Sequence, residues 1–125
     1  MAAKRSPPPP GPSADEALRR IWAAVAAIPR GTATSYGDVA RRAGLPGRAR
    51  LVGRALRVAP RHLKLPWQRV VAANGKPAFP PGSEEYERQL ALLAREGVAH
   101  RNGRVPLGRA EDAESLDALL WGGRD

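Results

Sequence analysis

Leu65-Pro66-Trp67-Gln68-Arg69-Val70-Val71 is the stretch around which the rest of the chain is read. Pro66 fixes its own φ and biases Leu65 toward an extended backbone. Trp67 is therefore presented from a stiff turn, not from the middle of a helix. Arg69 follows two residues on, and the β-branched pair Val70-Val71 predicts a short buried strand. Two readings fit Trp67 equally well: a core residue at a loop, or one wall of a nucleobase pocket.

Upstream, Ser35 has the features of a helix N-cap, with Asp38 at the third helical position. A short helix runs to about Ala43 and buries Val39, Ala40 and Ala43, and Gly44 ends it. Leu45-Pro46-Gly47 turns the chain into a third helix, from about Arg48 to Val58, that stops before Pro60. Two short helices joined by a glycine-containing turn predict a helix-turn-helix. In the third helix Arg50, Arg54 and Arg57 fall on one stripe at i, i+4 and i+7, while Ala49, Val52 and Leu56 face inward. Gly53 costs about 1 kcal/mol of helix propensity relative to alanine. Close approach of a phosphate backbone and close helix–helix packing both explain it.

Further out, Ser13 and Glu16 have capping-box spacing and open a first helix. Leu18, Ile21, Trp22 and Val25 form its apolar face, and Ile28-Pro29-Arg30-Gly31 turns the chain. Beyond the strand, Asn74-Gly75 marks a tight turn, and Ala78 to Gly82 form a stiff loop. Ser83 caps a helix that points Tyr86, Leu90, Leu93 and Ala94 inward and ends at Gly97. A small hairpin is expected around Asn102-Gly103, and a last short helix over Glu111 to Trp121. The expected fold is a single mostly α domain with a small β element, winged helix-turn-helix-like, over 13–107. A Pro-rich disordered tail (1–12) precedes it and a C-terminal extension (108–125) follows.

The composition narrows the chemistry. The 125 residues contain no cysteine, which removes disulfides, thiolate metal sites and cysteine nucleophiles. His62 and His100 are too few for a histidine-rich metal site, and neither a metal nor a cofactor is expected. No apolar run is long enough to span a bilayer and no signal segment is evident, so a cytoplasmic, nucleoid-associated protein is expected. The formal charge is +9, and its placement says more than its size. From Val39 to Ser83 there is no Asp or Glu, while Arg41, Arg42, Arg48, Arg50, Arg54, Arg57, Arg61, Lys64, Arg69 and Lys76 lie within. A basic block that coincides with a helix-turn-helix pattern points to a polyanion, and nucleic acid is favoured over a merely solvated basic surface.

Ile28-Pro29-Arg30-Gly31, Ser35-Tyr36-Gly37, Ala49-Arg50-Leu51-Val52-Gly53, Pro66-Trp67-Gln68-Arg69-Val70 and Glu96-Gly97-Val98 occur in one order. Together they resemble the DNA-binding domain of the O6-alkylguanine-DNA alkyltransferases, over about residues 17–107. Those enzymes read Pro-Cys-His-Arg at the active turn. Tryptophan at the cysteine position resembles the alkyltransferase-like proteins. Direct alkyl transfer needs a soft, ionised nucleophile such as a thiolate, and an indole is not one. Gln68 stands where the enzymes have a histidine, and an amide is not a base. No transfer is expected, so the chain is read as a non-enzyme.

The resemblance implies a damage sensor. It would bind O6-alkylguanine in DNA by flipping the nucleotide out of the stack, at a cost of a few kcal/mol, and channel the lesion to nucleotide excision repair. It further implies DNA contacts by Ser35, Tyr36, Arg48, Arg50, Gly53 and Arg54, with Arg50 as the finger that fills the vacated space. The lesion pocket would involve Tyr36, Trp67, Gln68, Arg69, Val70 and Phe79. Arg69 is largely a buried structural residue in the enzymes, so its direct role on DNA ranks low. Two departures stand out: the family's hinge asparagine is Ala59 here, and the loop after the Trp67 strand carries no arginine. A monomer is expected. The competing reading is a sequence-specific winged helix-turn-helix regulator; no dimerisation helix is evident beyond the C-terminal segment.

Overall fold

The computed structural model describes residues 11–108. The tail over 1–10 and the helix expected over Glu111 to Trp121 lie outside the described residues. Helix α1 (Ala14–Ala26) begins where Ser13 accepts a hydrogen bond from the Glu16 amide. Strand β1 (Thr34–Ser35) leads directly into helix α2 (Tyr36–Arg42), and helix α3 (Ala49–Arg57) follows the Leu45–Gly47 turn. Two single 3-10 turns, Arg61–Leu63 and Trp67–Arg69, precede strand β2 (Val70–Val71), and helix α4 (Glu84–Arg95) completes the set. The mostly helical fold with a small β element is the one the sequence predicts.

The two-residue strand β1 carries no periodic signal in the sequence. It pairs parallel with β2 in the register Thr34↔Val70 and Ser35↔Val71. Both strands are buried, and successive side chains of a strand point to opposite faces. Val70 accordingly packs with Ile21, Val25, Val39, Val52 and Ala55 of the first three helices. Val71 packs instead with Tyr86, Leu90 and Leu93 of α4 and with Val98 and Val105. Two valines thus link two small cores, and the turn that carries Trp67 sits at the seam between them.

Two inward faces differ from expectation. In α3 the fully buried positions are Val52 and Ala55, with Ala49 and Leu56 only half-buried. Ala55 faces α1, where its carbonyl accepts the indole N–H of Trp22 at 2.8 Å. In α4 Ala94 is exposed and Gln89 is buried in its stead. Gln89 donates to the Gln68 carbonyl at 3.0 Å and to the Val70 carbonyl at 2.8 Å. A polar side chain at that inward position is accommodated because it satisfies backbone acceptors of the Trp67 turn and of β2. The expected hairpin is present as a bridge between Arg101 and Arg104.

Candidate nucleic-acid interface

Helix α3 presents its arginines because its other side is filled by Val52 and Ala55. Arg48, Arg50, Arg54 and Arg57 line one shallow groove of about 670 Å³ with Gly47, Ala49 and Leu51. No ion pair to an acidic side chain is formed by these arginines among the described residues. Three predicted contact residues, Arg48, Arg50 and Arg54, are therefore gathered on one face, and Arg57 joins them.

The parallel strand pair sets the start of α2 beside β2, and α2 also packs on α3 near Gly53. Tyr36 is its first residue and is half-buried. A Cβ placed on Gly53 would lie 3.7 Å from Arg57 Nη1 and 4.0 Å from Tyr36 Cε1. These are ordinary contact distances, so helix packing does not require glycine at this position. Burial raises the Tyr36 phenol pKa, and the nearby Arg57 charge only partly offsets this. Tyr36 therefore keeps its proton as a hydrogen-bond donor. Ser35, by contrast, is buried, and its hydroxyl caps α2 by accepting from the Asp38 amide. The capping bond uses an acceptor lone pair of the hydroxyl, and its O–H stays available as a donor.

Trp67 is held as its sequence predicts. Pro66, at φ −78° and ψ 64°, centres an inverse γ-turn closed by a 2.8 Å bond from the Trp67 amide to the Leu65 carbonyl. Just before it, Lys64 adopts the left-handed conformation at φ 48° and reverses the chain. A left-handed lysine costs on the order of 1 kcal/mol, and such strain concentrates at binding sites; nothing in the composition announces it. The half-buried indole borders a hollow of about 380 Å³ whose other walls include Leu56 of α3 and Ala59, Pro60, Arg61 and Leu65. Phe79 meets Trp67 edge-on, with ring centroids 6.2 Å apart at 88°.

Three expected pocket side chains point elsewhere. Val70 is buried in the first core. Gln68 donates to Glu96 Oε2 at 2.7 Å. Arg69 donates through Nε to Glu96 Oε1 at 2.9 Å and through Nη1 to the Ile28 carbonyl at 2.8 Å. The Gly31 amide reaches Glu96 Oε1 as well, at 2.9 Å. Gln68 and Arg69 thus brace the Trp67 turn from behind, because a buried carboxylate needs several donors to be tolerated. Glu96 and Gln89 are the residues the site expectations omitted. Glu96 was visible only as part of a motif, and Gln89 was hidden because glutamine carries no helical-face signal of its own. Among the described residues no group of three or more His, Asp or Glu could hold a metal, and no helix is long and apolar enough to cross a membrane.

Comparison with known proteins matches residues 16–98 to the family described as the 6-O-methylguanine DNA methyltransferase, DNA binding domain. The chain is 42% identical over 95 residues to a DNA base-flipping protein of Escherichia coli, covering 76% of this chain and 73% of that one. It is 36% identical over 84 residues to alkyltransferase-like protein 1 of Schizosaccharomyces pombe, covering 67% and 78% respectively. The crystal structure of S. pombe Atl1 in complex with damaged DNA containing O6-carboxymethylguanine superposes with a TM-score of 0.62. The identity is 33%, over 74% of this chain and 89% of that one.

Proposed function

The chain belongs to the family of the 6-O-methylguanine DNA methyltransferase DNA-binding domain, and from that premise we propose that it is a non-enzymatic sensor of O6-alkylguanine in double-stranded DNA. The observation that carries this reading is a half-buried tryptophan beside an open hollow, at the turn where the related enzymes carry their nucleophile, in a chain without cysteine. The arginine groove of α3 holds the phosphate backbone, which supplies sequence-independent affinity. Arg50 enters the duplex where the base leaves. The extruded purine lodges against Trp67 and Phe79, with Tyr36 donating a hydrogen bond at the entrance. Extrusion costs a few kcal/mol and is least costly for a base already weakly paired. An O6-alkyl group removes the N1 proton that guanine uses in pairing, so the lesion flips more readily than its parent.

Without a thiolate, the bound lesion is marked and left chemically unchanged, for removal by nucleotide excision repair. The S. pombe Atl1 complex with damaged DNA supports this choice of ligand. The test is equilibrium binding to matched duplexes with and without a single O6-methylguanine. Tighter binding to the lesion with no methyl group on the recovered protein by mass spectrometry is expected. Equal affinity for the two duplexes at moderate salt overturns the reading.

A further inference from the structure

A second basic concavity lies away from the arginine helix. Lys76, Arg101 and Arg104 surround a hollow of about 500 Å³, with Asn102, Val105 and Pro106 as its remaining walls. None of its lining residues borders the α3 groove. None of the three cations has an ion-pair partner among the described residues.

The cations are held by a rigid frame. The Val105 amide donates to the Gly75 carbonyl at 2.9 Å, which joins the Asn74-Gly75 turn to the Arg101–Arg104 hairpin. A Cβ on Gly75, where φ is +85°, would lie 2.6 Å from the Val105 carbonyl oxygen and 3.0 Å from Arg104 Cγ. Only glycine lets the two turns close on each other. Arg101 and Arg104 exchange backbone hydrogen bonds at 2.9 and 3.0 Å, so the hairpin is a tight two-residue turn. The loop that starts at Lys76 reaches Trp67 through Phe79, and three residues span at most about 11 Å.

Like charges gathered around one hollow, with no acidic partner among the described residues, lower stability through repulsion. A polyanion removes that cost. We propose that this concavity is a second phosphate-binding site, one that grips the DNA backbone next to the flipped nucleotide. The proposal rests on the lesion-sensor reading for its ligand but not for its location. Its ligand chemistry is the phosphodiester, and it carries no base or lesion preference, because phosphate contacts position a protein without reading sequence.

The test compares the full chain with the triple variant Lys76→Gln, Arg101→Gln, Arg104→Gln on duplexes with and without O6-methylguanine, across a salt series. The variant is expected to lose roughly tenfold in affinity for both duplexes alike, with its salt slope reduced by about 2 to 3. An unchanged slope and affinity overturn the proposal. In a parallel titration followed by amide chemical shifts, duplex DNA is expected to move the signals of residues 74–76 and 101–104 of the wild-type chain. Inorganic phosphate alone at the same phosphate concentration is expected to leave them in place. Equal shifts with inorganic phosphate make this a small-anion site and overturn the proposal, as do signals that stay still with DNA. If the wild-type chain binds both duplexes equally, the lesion reading fails while the slope comparison still decides this one.

Discussion

Arg69 donates from one nitrogen to both carboxylate oxygens of Glu96, at 2.9 and 3.2 Å, with the two side chains only 15% and 5% exposed. This pair, joined by Gln68 and the Gly31 amide, ties the Trp67 turn to the end of α4 and to the loop after α1. Burial by itself would raise the Glu96 pKa. The hydrogen bonds from Arg69, Gly31 and Gln68, together with the Arg69 charge, outweigh burial and lower it. A carboxyl whose folded pKa lies below its unfolded value adds stability above the unfolded value, and that stability is lost as pH falls through the folded one.

Removal of the carboxylate leaves the partly buried guanidinium uncompensated. Glu96→Ala is expected to lose about 3 kcal/mol of stability at pH 7. In urea titrations, the wild type should lose part of its margin over Glu96→Ala as pH drops below about 4.3, the ordinary glutamate value. A gap between the two proteins that stays constant from pH 6 to pH 3 contradicts this account.

Gln89 is 1% exposed and donates to the Gln68 carbonyl of the Trp67 turn and the Val70 carbonyl of β2, while its own Oε1 has no partner among the described residues. Gln89→Leu leaves two acceptors without a donor and is expected to lose about 2 kcal/mol. Gln89→Glu, when ionised, turns a negative charge on the same carbonyls and should be less stable at pH 7 than at pH 4. Chemical denaturation at the two pH values checks both. An unaffected Gln89→Leu would mean that the turn is held by packing alone.

Arg50 lies in the α3 groove with its charge free among the described residues. Arg50→Ala is expected to weaken binding to the O6-methylguanine duplex by on the order of 2 kcal/mol, because the space left by the flipped nucleotide goes unfilled. Binding to undamaged duplex should fall by much less. Full retention of discrimination between the two duplexes removes Arg50 from the role of finger.

Gly53→Ala separates the two explanations for a glycine in mid-helix. The added methyl meets only Arg57 and Tyr36 at contact distance, so the substitution should leave stability unchanged or raise it by up to about 1 kcal/mol. DNA affinity should nevertheless drop, since the methyl stands where a phosphate backbone would approach. A variant that binds as tightly as wild type leaves Gly53 without a role on DNA.

Phe79→Ala removes the edge-on contact with Trp67, worth about 1 kcal/mol. Lesion affinity is expected to fall while affinity for undamaged duplex holds. Equal losses on the two duplexes would place Phe79 outside the pocket.

Much of the fold and of the candidate site is legible in the sequence itself. Caps at Ser13, Ser35 and Ser83, the Gly44 stop and the apolar spacing fix where the helices lie, because these signals act within one or two turns of the chain. The arginine stripe and the Pro66-Trp67 turn are local in the same sense, and the absence of cysteine is read directly from the composition. What the sequence did not disclose is long-range. Strands β1 and β2 are two residues each, too short to show a period of two, and their pairing joins residues far apart in the chain. The direction of Gln68 and Arg69 depends on a carboxylate more than 25 residues away. Ile28, Gly31, Gln68, Arg69 and Glu96 stood in the sequence as separate motifs. Only folding shows that they meet, because a buried charge must gather its donors from wherever the chain can bring them.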